Sequence, residues 1–181
     1  MQDYLNTMLI SPKEVKQSGE LNLNCDDGQI GNSIRTAQNV YLTDVIGVEL
    51  VQKLQELVYN KIKGSGTSID DQDNIAYKTL LNDYIKDALI YKTVIDLAMR
   101  ASFKVRNMGV VQNSDTNVMA ATIDDIKHLQ NYVETMWNHS LNRMADFICA
   151  NKGAYPESKI KCGPCDRMNK YANINLWLGG Q

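Results

Sequence analysis

The chain has 181 residues, with 19 Lys and Arg set against 21 Asp and Glu, for a formal charge of -2. A hydrophobic fraction of 44% with only three prolines excludes a Pro-rich linker protein, and the near-neutral balance argues against a nucleic-acid coat or a polybasic membrane binder. A chain of this length buries roughly 70% of its unfolded surface as one domain, so its core needs no metal or disulfide staple.

The N-terminus, MQDYLNTMLISPKEV, has no basic region followed by an apolar run and is not read as a signal peptide. No stretch approaches the roughly 18 apolar residues of a membrane span. Neither secretion nor membrane insertion is expected.

Ser11-Pro12-Lys13-Glu14 predicts a helix start, with Ser11 as N-cap, Pro12 at the first helical position and Glu14 completing a capping box. That turn reaches about Gln17. Leu21 to Cys25 alternates briefly, as a short strand or loop, and Asp26-Asp27-Gly28 reads as a turn. Ile30, Ile34, Ala37 and Tyr41 then recur at helical steps, and Asp44-Val45-Ile46-Gly47 marks a break. A second stripe, Val48, Leu50, Leu54, Leu57, Val58 and Ile62, ends at Gly64-Ser65-Gly66.

Asp70, Asp71 and Asp73 suit the positive start of the next helix. They resemble the opening of a calcium loop, but no Gly or bidentate Glu follows at the required position. From about Ile69 to Ala101 there is neither Gly nor Pro, and Tyr77, Leu80, Leu81, Tyr84, Ala88, Leu89, Tyr91, Ile95 and Met99 make one broad face. About 33 residues of helix span roughly 50 Å, against a diameter of about 40 Å for a compact globule of this size. An elongated molecule is expected.

Phe103 to Asn117 mixes Val105, Val110 and Val111 with Lys104, Arg106 and Gly109, and reads as strands or an extended arm over about 102–120. Thr122 is the expected cap of a last long helix, whose stripe runs through Ile126, Leu129, Val133, Met136, Trp137, Leu141, Met144 and Ile148 to about Ala150. The fold class is therefore mainly α: an elongated bundle of about four main helices, with a hairpin or arm between the last two. Residues 1–151 form the helical domain and 152–181 an irregular C-terminal extension.

The sharpest motif is Cys162-Gly163-Pro164-Cys165. It matches a thioredoxin-type redox box, but lacks the βαβ framework that such a box needs. It also matches half of a zinc set, for which Cys149, Cys25, His139 and His128 are candidate partners at unsuitable spacing. The plain reading is a turn whose thiols stay reduced. His128 and His139 lie about 16 Å apart along one helix, too far to share a metal. No phosphate loop, nucleophile elbow, HExxH pair or dinucleotide turn occurs. No catalytic residue, cofactor or metal is assigned, Cys162 and Cys165 remaining the candidate zinc or redox pair.

Residues 151–181 carry a small basic excess with Tyr171 and Trp177, suited to docking on an acidic neighbour or to phosphate contact and base stacking. A helical nucleic-acid regulator is a third reading, which the net charge disfavours.

The stretch Ile34-Arg35-Thr36-Ala37-Gln38, then Tyr41 to Leu50 with Val45-Ile46-Gly47-Val48-Glu49-Leu50, resembles the helix, VIG-x-x-L, helix opening of tailed-phage head–tail connector (adaptor) proteins. Tyr77 to Ile85 followed by Ala88-Leu89-Ile90-Tyr91 is similar to their long central helix. The wording is closest to ring and connector proteins of crAss-like and related Bacteroidetes phages, over about residues 8–150. The resemblance implies a non-enzymatic virion protein at the portal–tail junction, assembled in the host cytoplasm as a homo-oligomeric ring, commonly twelvefold. Its partners would be the portal and the next tail or ring protein. Genomic DNA would pass through its channel without sequence-specific binding, and no membrane is involved. Carried over by position, Lys104, Arg106, Val110 and Val111 in one arm, and Tyr155, Tyr171, Leu176 and Trp177 in the tail, are the interface candidates. The CGPC tail departs from the usual compact connector. The alternative is a small thiol-redox or zinc-binding protein built on that motif.

Overall fold

A computed structural model describes residues 3–18, 25–106, 109–112 and 123–162, the side chains of 101–106, 109–112 and 123–126 excepted. The protein is mainly helical. A single turn, Asp3–Asn6, leads to α1 (Pro12–Gln17). Ser11 and Glu14 cap α1 reciprocally: the Ser11 hydroxyl accepts from the Glu14 N–H at 3.3 Å and the Glu14 carboxylate from the Ser11 N–H at 2.8 Å. The Asp26-Asp27-Gly28 sequence, expected as a turn, instead starts α2 (Asp27–Thr36). Asp26 is its N-cap and accepts from the Gln29 N–H at 2.8 Å.

α2 runs on as a π-helical segment, Ala37–Leu42, and one more turn, α3 (Thr43–Ile46). The wider π turn advances the buried stripe by five residues, from Ala37 to Leu42, so Tyr41 is turned toward solvent rather than inward as its spacing predicts. Gly47 breaks the chain at φ 97° and ψ 154°, a conformation open essentially to glycine alone. α4 (Val48–Lys63) follows and ends at left-handed Gly64. Leu50, Val51, Leu54 and Leu57 are its buried face, whereas Val48 and Ile62, expected inside, are more than half exposed.

The long helix expected from Ile69 begins later. Ile69 is a buried anchor whose N–H donates to the Leu57 carbonyl at 3.2 Å. Asp71 builds the turn by accepting from the Ser68 N–H at 2.7 Å, and Asp70 pairs with Lys61 and Lys78, both at 2.9 Å. After a turn at Gln72–Asn74, α5 (Ile75–Leu80), a second π segment (Leu81–Ile85) and α6 (Lys86–Ser102) form a near-continuous rod. Again the π segment shifts the phase. Ile85, Val94 and Leu97 are buried, whereas Tyr84, Tyr91 and Ile95 are only partly so and Met99 is exposed. The rod covers 28 residues, about 42 Å.

No extended arm is seen among the described residues. Between the long helices, β1 (Phe103–Arg106) and β2 (Gly109–Gln112) pair antiparallel, with Val105 opposite Val110, and 113–122 lie outside the described residues. α7 (Ile123–Ala150) then packs along α6 through Val133, Trp137, Met144 and Ile148.

The packed unit does not end at Asn151. After a turn at Lys152–Ala154, residues 155–162 fold back across the helices, and Tyr155 and Ile160 join the same core as Leu9, Ile30 and Leu54. The start of the expected 152–181 extension thus shares its core with the helices, and 163–181 lie outside the described residues.

Candidate functional site: the C-terminal strap and its aromatic seat

The segment 155–162 is a strap held at four points. Its first anchor is Tyr155, only 2% exposed, whose hydroxyl donates to the Ala76 carbonyl at 2.8 Å. Its ring meets Tyr77 edge-on at 5.7 Å and Phe147 at 6.0 Å, and Phe147 stacks on Tyr84 at 4.2 Å. The Arg143 guanidinium lies 5.5 Å over the Tyr84 ring. α5, the second π segment and α7 thus build one aromatic seat from residues 70 positions apart in sequence.

The second anchor is the Tyr77 hydroxyl, which donates to both Glu157 carboxylate oxygens at 2.9 and 3.0 Å. Burial first, then this bond and the Glu157 charge, push the Tyr77 phenol up to about 12. Burial and the nearby Tyr84 raise Tyr155 to about 12 as well. Both phenols stay protonated at neutral pH, so they hold the strap and are not poised for proton transfer.

The third anchor is the break at Gly47. The Lys159 N–H donates to the Ile46 carbonyl at 3.0 Å, and the Lys159 ammonium reaches Asp44 at 3.3 Å. A Cβ on Gly47 would stand 3.1 Å from the Lys159 Cβ. The glycine therefore serves both its own backbone angle and the close approach of the strap.

The fourth anchor is covalent. Cys162 forms a disulfide with Cys149 at the end of α7, their Cα atoms 5.3 Å apart. This corrects the expectation of reduced thiols, and the partner is Cys149 rather than the CGPC neighbour. A disulfide sulfur is no thiolate, so in this state Cys162 has nothing to contribute to a zinc site. Cys165 lies outside the described residues, and Cys25 is a half-buried free thiol.

Tyr155, expected as an interface residue, is an internal anchor. A large apolar ring with its hydroxyl satisfied inside the core has no surface to offer a neighbour. Lys104, Arg106, Val110 and Val111 fall on the β1–β2 ladder, where side chains are not described, and Tyr171, Leu176 and Trp177 lie outside the described residues. His128 and His139 are exposed on α7. No group of three metal-ligating side chains occurs among the described residues, and no helix there is long and apolar enough to cross a membrane.

Two other features stand apart from the strap. An open groove of about 460 Å³ between the N-terminal segment, α4 and the rod has Val58, Ile62, Ile69 and Leu81 on its floor and Lys61, Lys78 and Lys86 on its rim, these three lysines paired with Asp70 or Glu14. On the other side, the Lys92 ammonium sits 4.1 Å from the Tyr41 ring and 5.6 Å from that of Trp137. Burial lowers its pKa, against the opposing pull of Glu134 and Asp96.

The strap was hidden from periodicity because it is irregular. The only signals for it were Tyr155 next to Pro156 and an unassigned Cys149 that is thirteen positions from Cys162.

No curated protein and no solved structure matches the chain. Residues 42–168 match a family of unknown function, DUF6712, over more than two thirds of the sequence, from just before the Gly47 break to beyond Cys165. The chain belongs to that family, and the strap, its aromatic seat and the disulfide all lie inside the family's span.

Proposed function

We propose that the protein is a structural, non-enzymatic virion component: a ring subunit beneath the phage portal that joins head to tail and extends the DNA channel. The observation that carries this reading is the order of elements around Gly47. A helix, a VIG break, a helix, a 28-residue rod and a final long helix succeed one another as in the connector proteins the sequence resembles. The distribution of exposed apolar side chains supports it. Val40, Ile62, Ile75, Leu129 and Tyr132, at 57, 69, 55, 40 and 50% exposure, stand on several helices, which suits a head-to-tail ring in which each subunit meets two neighbours through different surfaces.

In this reading Lys104, Arg106, Val110 and Val111, with Tyr171, Leu176 and Trp177, contact adjacent subunits, the portal or the next tail ring. Genomic DNA passes without sequence readout, in keeping with a net charge of -2. The location is the portal–tail junction. Native mass spectrometry and negative-stain imaging of the protein co-expressed with its portal should give closed rings, commonly twelvefold, or portal-bound rings. A strict monomer that ignores the portal overturns the proposal.

A second reading is thiol chemistry at Cys162 and Cys165, of which Cys162 is engaged in a disulfide with Cys149. An insulin-reduction assay and metal analysis, each repeated on the Cys162→Ser, Cys165→Ser variant, test its redox and zinc forms. Absence of both activity and bound zinc in the native protein retires it.

A further inference from the structure

The two ends of α4 carry unlike surfaces. Val48 and Ile62 belong to its apolar stripe, yet they stand 53 and 69% exposed. The interval between them is nearly four turns, so both lie on one side of the helix, about 21 Å apart along its axis. At the C-terminal end, Ile62 borders the groove of about 460 Å³ that Val58, Ile69 and Leu81 floor. Four lysines line that groove against two carboxylates, Asp70 and Glu14, which leaves two positive charges over. Lys63 lies over the Tyr59 ring at 5.9 Å and is paired with neither carboxylate.

At the N-terminal end the chain turns through Gly47, and the exposed residues of 39–49 are Asn39, Val40, Tyr41, Asp44, Val48 and Glu49. Three are apolar or aromatic, two are acidic and none is basic. Lys159 offsets Asp44 at 3.3 Å, and no ion pair to Glu49 occurs among the described residues. Acid at the start of a helix and base at its end also suit the α4 dipole. The dipole gives no reason to expose Val48 and Ile62. Apolar side chains left outside the core at both ends, with opposite charge beside them, are matching halves of a contact.

We propose that the corner at 40–49 of one copy docks in the groove of the next, with Val48 against Ile62 and Glu49 against Lys63. The two surfaces stand at opposite ends of one helix, so no molecule fills its own groove. The contact is head-to-tail, and repetition closes it into a ring or extends it as an open filament. It deepens the ring reading, on which it rests for closure, by naming the two surfaces that meet.

The test is zero-length carbodiimide coupling of isotope-labelled and unlabelled full chains in equal mixture, alone and with the portal, mapped by mass spectrometry. The Lys159–Asp44 link forms within one chain and is the control. Lys63–Glu49 links should join labelled to unlabelled chains, because α4 holds those residues about 21 Å apart within one molecule. In sedimentation velocity, Glu49→Lys and Lys63→Glu should each weaken self-association about tenfold. The two variants mixed should pair without growing further, and both changes in one chain should restore assembly. Ile62→Ser should weaken association at least tenfold through lost apolar burial, with thermal unfolding nearly unchanged because the side chain is exposed in the single molecule. Where assembly needs the portal, the same variants are read by the copies retained on it. Rings on the portal that lack the Lys63–Glu49 link, or charge reversals that leave assembly unchanged, overturn this contact and leave the ring reading standing. Linked filaments that ignore the portal support the contact and overturn the ring. Groove lysines coupled to the portal instead of to Glu49 overturn the contact, and a chain monomeric both alone and with the portal overturns both.

Discussion

The N-terminal segment and the C-terminal strap both cross the helical body, yet opposite chemistry holds them. Residues 5–14 are fastened by polar side chains that reach out of the helices. Buried Gln38 accepts from the Leu9 N–H at 2.8 Å and donates to the Thr7 carbonyl at 3.1 Å, while Gln55 donates to the carbonyls of Leu5 and Thr7 at 2.9 and 3.2 Å. Glu14 closes the set with a 2.6 Å ion pair to Lys86. The strap instead brings its own aromatic ring inside and adds a covalent bond. An irregular segment must satisfy its backbone groups wherever it is buried. One end does so by borrowing amides from the body, the other by sinking a large side chain and leaving most of its backbone near solvent. The first solution responds to pH through Glu14, and the second to thiol redox state.

The comparison breaks most visibly at Tyr155. Tyr155→Ala empties the aromatic seat and should cost about 3–5 kcal/mol in urea unfolding, as for other large aromatic truncations. Tyr155→Phe keeps the ring and should lose only about 1 kcal/mol with the Ala76 hydrogen bond. At the other end, Gln38→Ala strands the buried Leu9 N–H and should cost about 2–3 kcal/mol, with the loss appearing as faster hydrogen exchange over residues 7–10. If Gln38→Ala matches Tyr155→Ala, the two fastenings are equivalent and the contrast fails.

Gly47→Ala tests whether the strap depends on the break. The required backbone angles alone cost about 1–3 kcal/mol. The added methyl also meets Lys159, so hydrogen exchange should rise at Lys159 and Ile160 as well as at the break itself. A purely local effect would separate the glycine from the strap.

Glu14→Gln should cost about 1 kcal/mol through the weakened cap. Its pH signature has a definite sign. Burial raises the Glu14 pKa, but the bonds from Lys86 and Ser11 outweigh it and hold the carboxyl below 4.5. A lowered folded-state pKa contributes stability that is present above the unfolded value and lost as pH falls through the folded one. The wild type should therefore lose its margin over Glu14→Gln below about pH 4.5, and a margin that persists there removes Glu14 as the acid-sensitive fastening. The smallest signal is spectroscopic. With Tyr77 and Tyr155 raised from 10.0 to about 12, two phenols should resist ionisation between pH 10 and 12 in the folded protein and not in urea. Their stabilisation is complete below pH 10 and fades above it. Absorbance at 295 nm follows both, and Tyr77→Phe should remove one of the two late steps.

Much of this fold is written locally. A capping box closes within four residues, so the start of α1 at Pro12 follows from Ser11 and Glu14 alone. The stops at Gly47 and Gly64 follow from backbone angles that glycine tolerates, and the end of α7 near Ala150 from the loss of its stripe. The inner faces were less legible. Each π segment adds a residue to one turn, so Leu42 replaces Tyr41 and Ile85 replaces Tyr84 in the core, and a strict 3.6-residue reading misses both shifts. Val51 and Gln55 were missed on α4 for a related reason: the strip that α4 buries is set by the segments lying on it.

From its amino-acid sequence alone, this protein's mainly helical character, its helix ends and its near-neutral charge are determined, because propensity, capping and composition act over a few residues. Tertiary structure alone decided the phase of the buried stripes, the seat of Tyr155 and the choice of Cys149 as partner for Cys162. Those outcomes depend on contacts between residues 13 to 115 positions apart, and only a closed core says which distant groups arrive together.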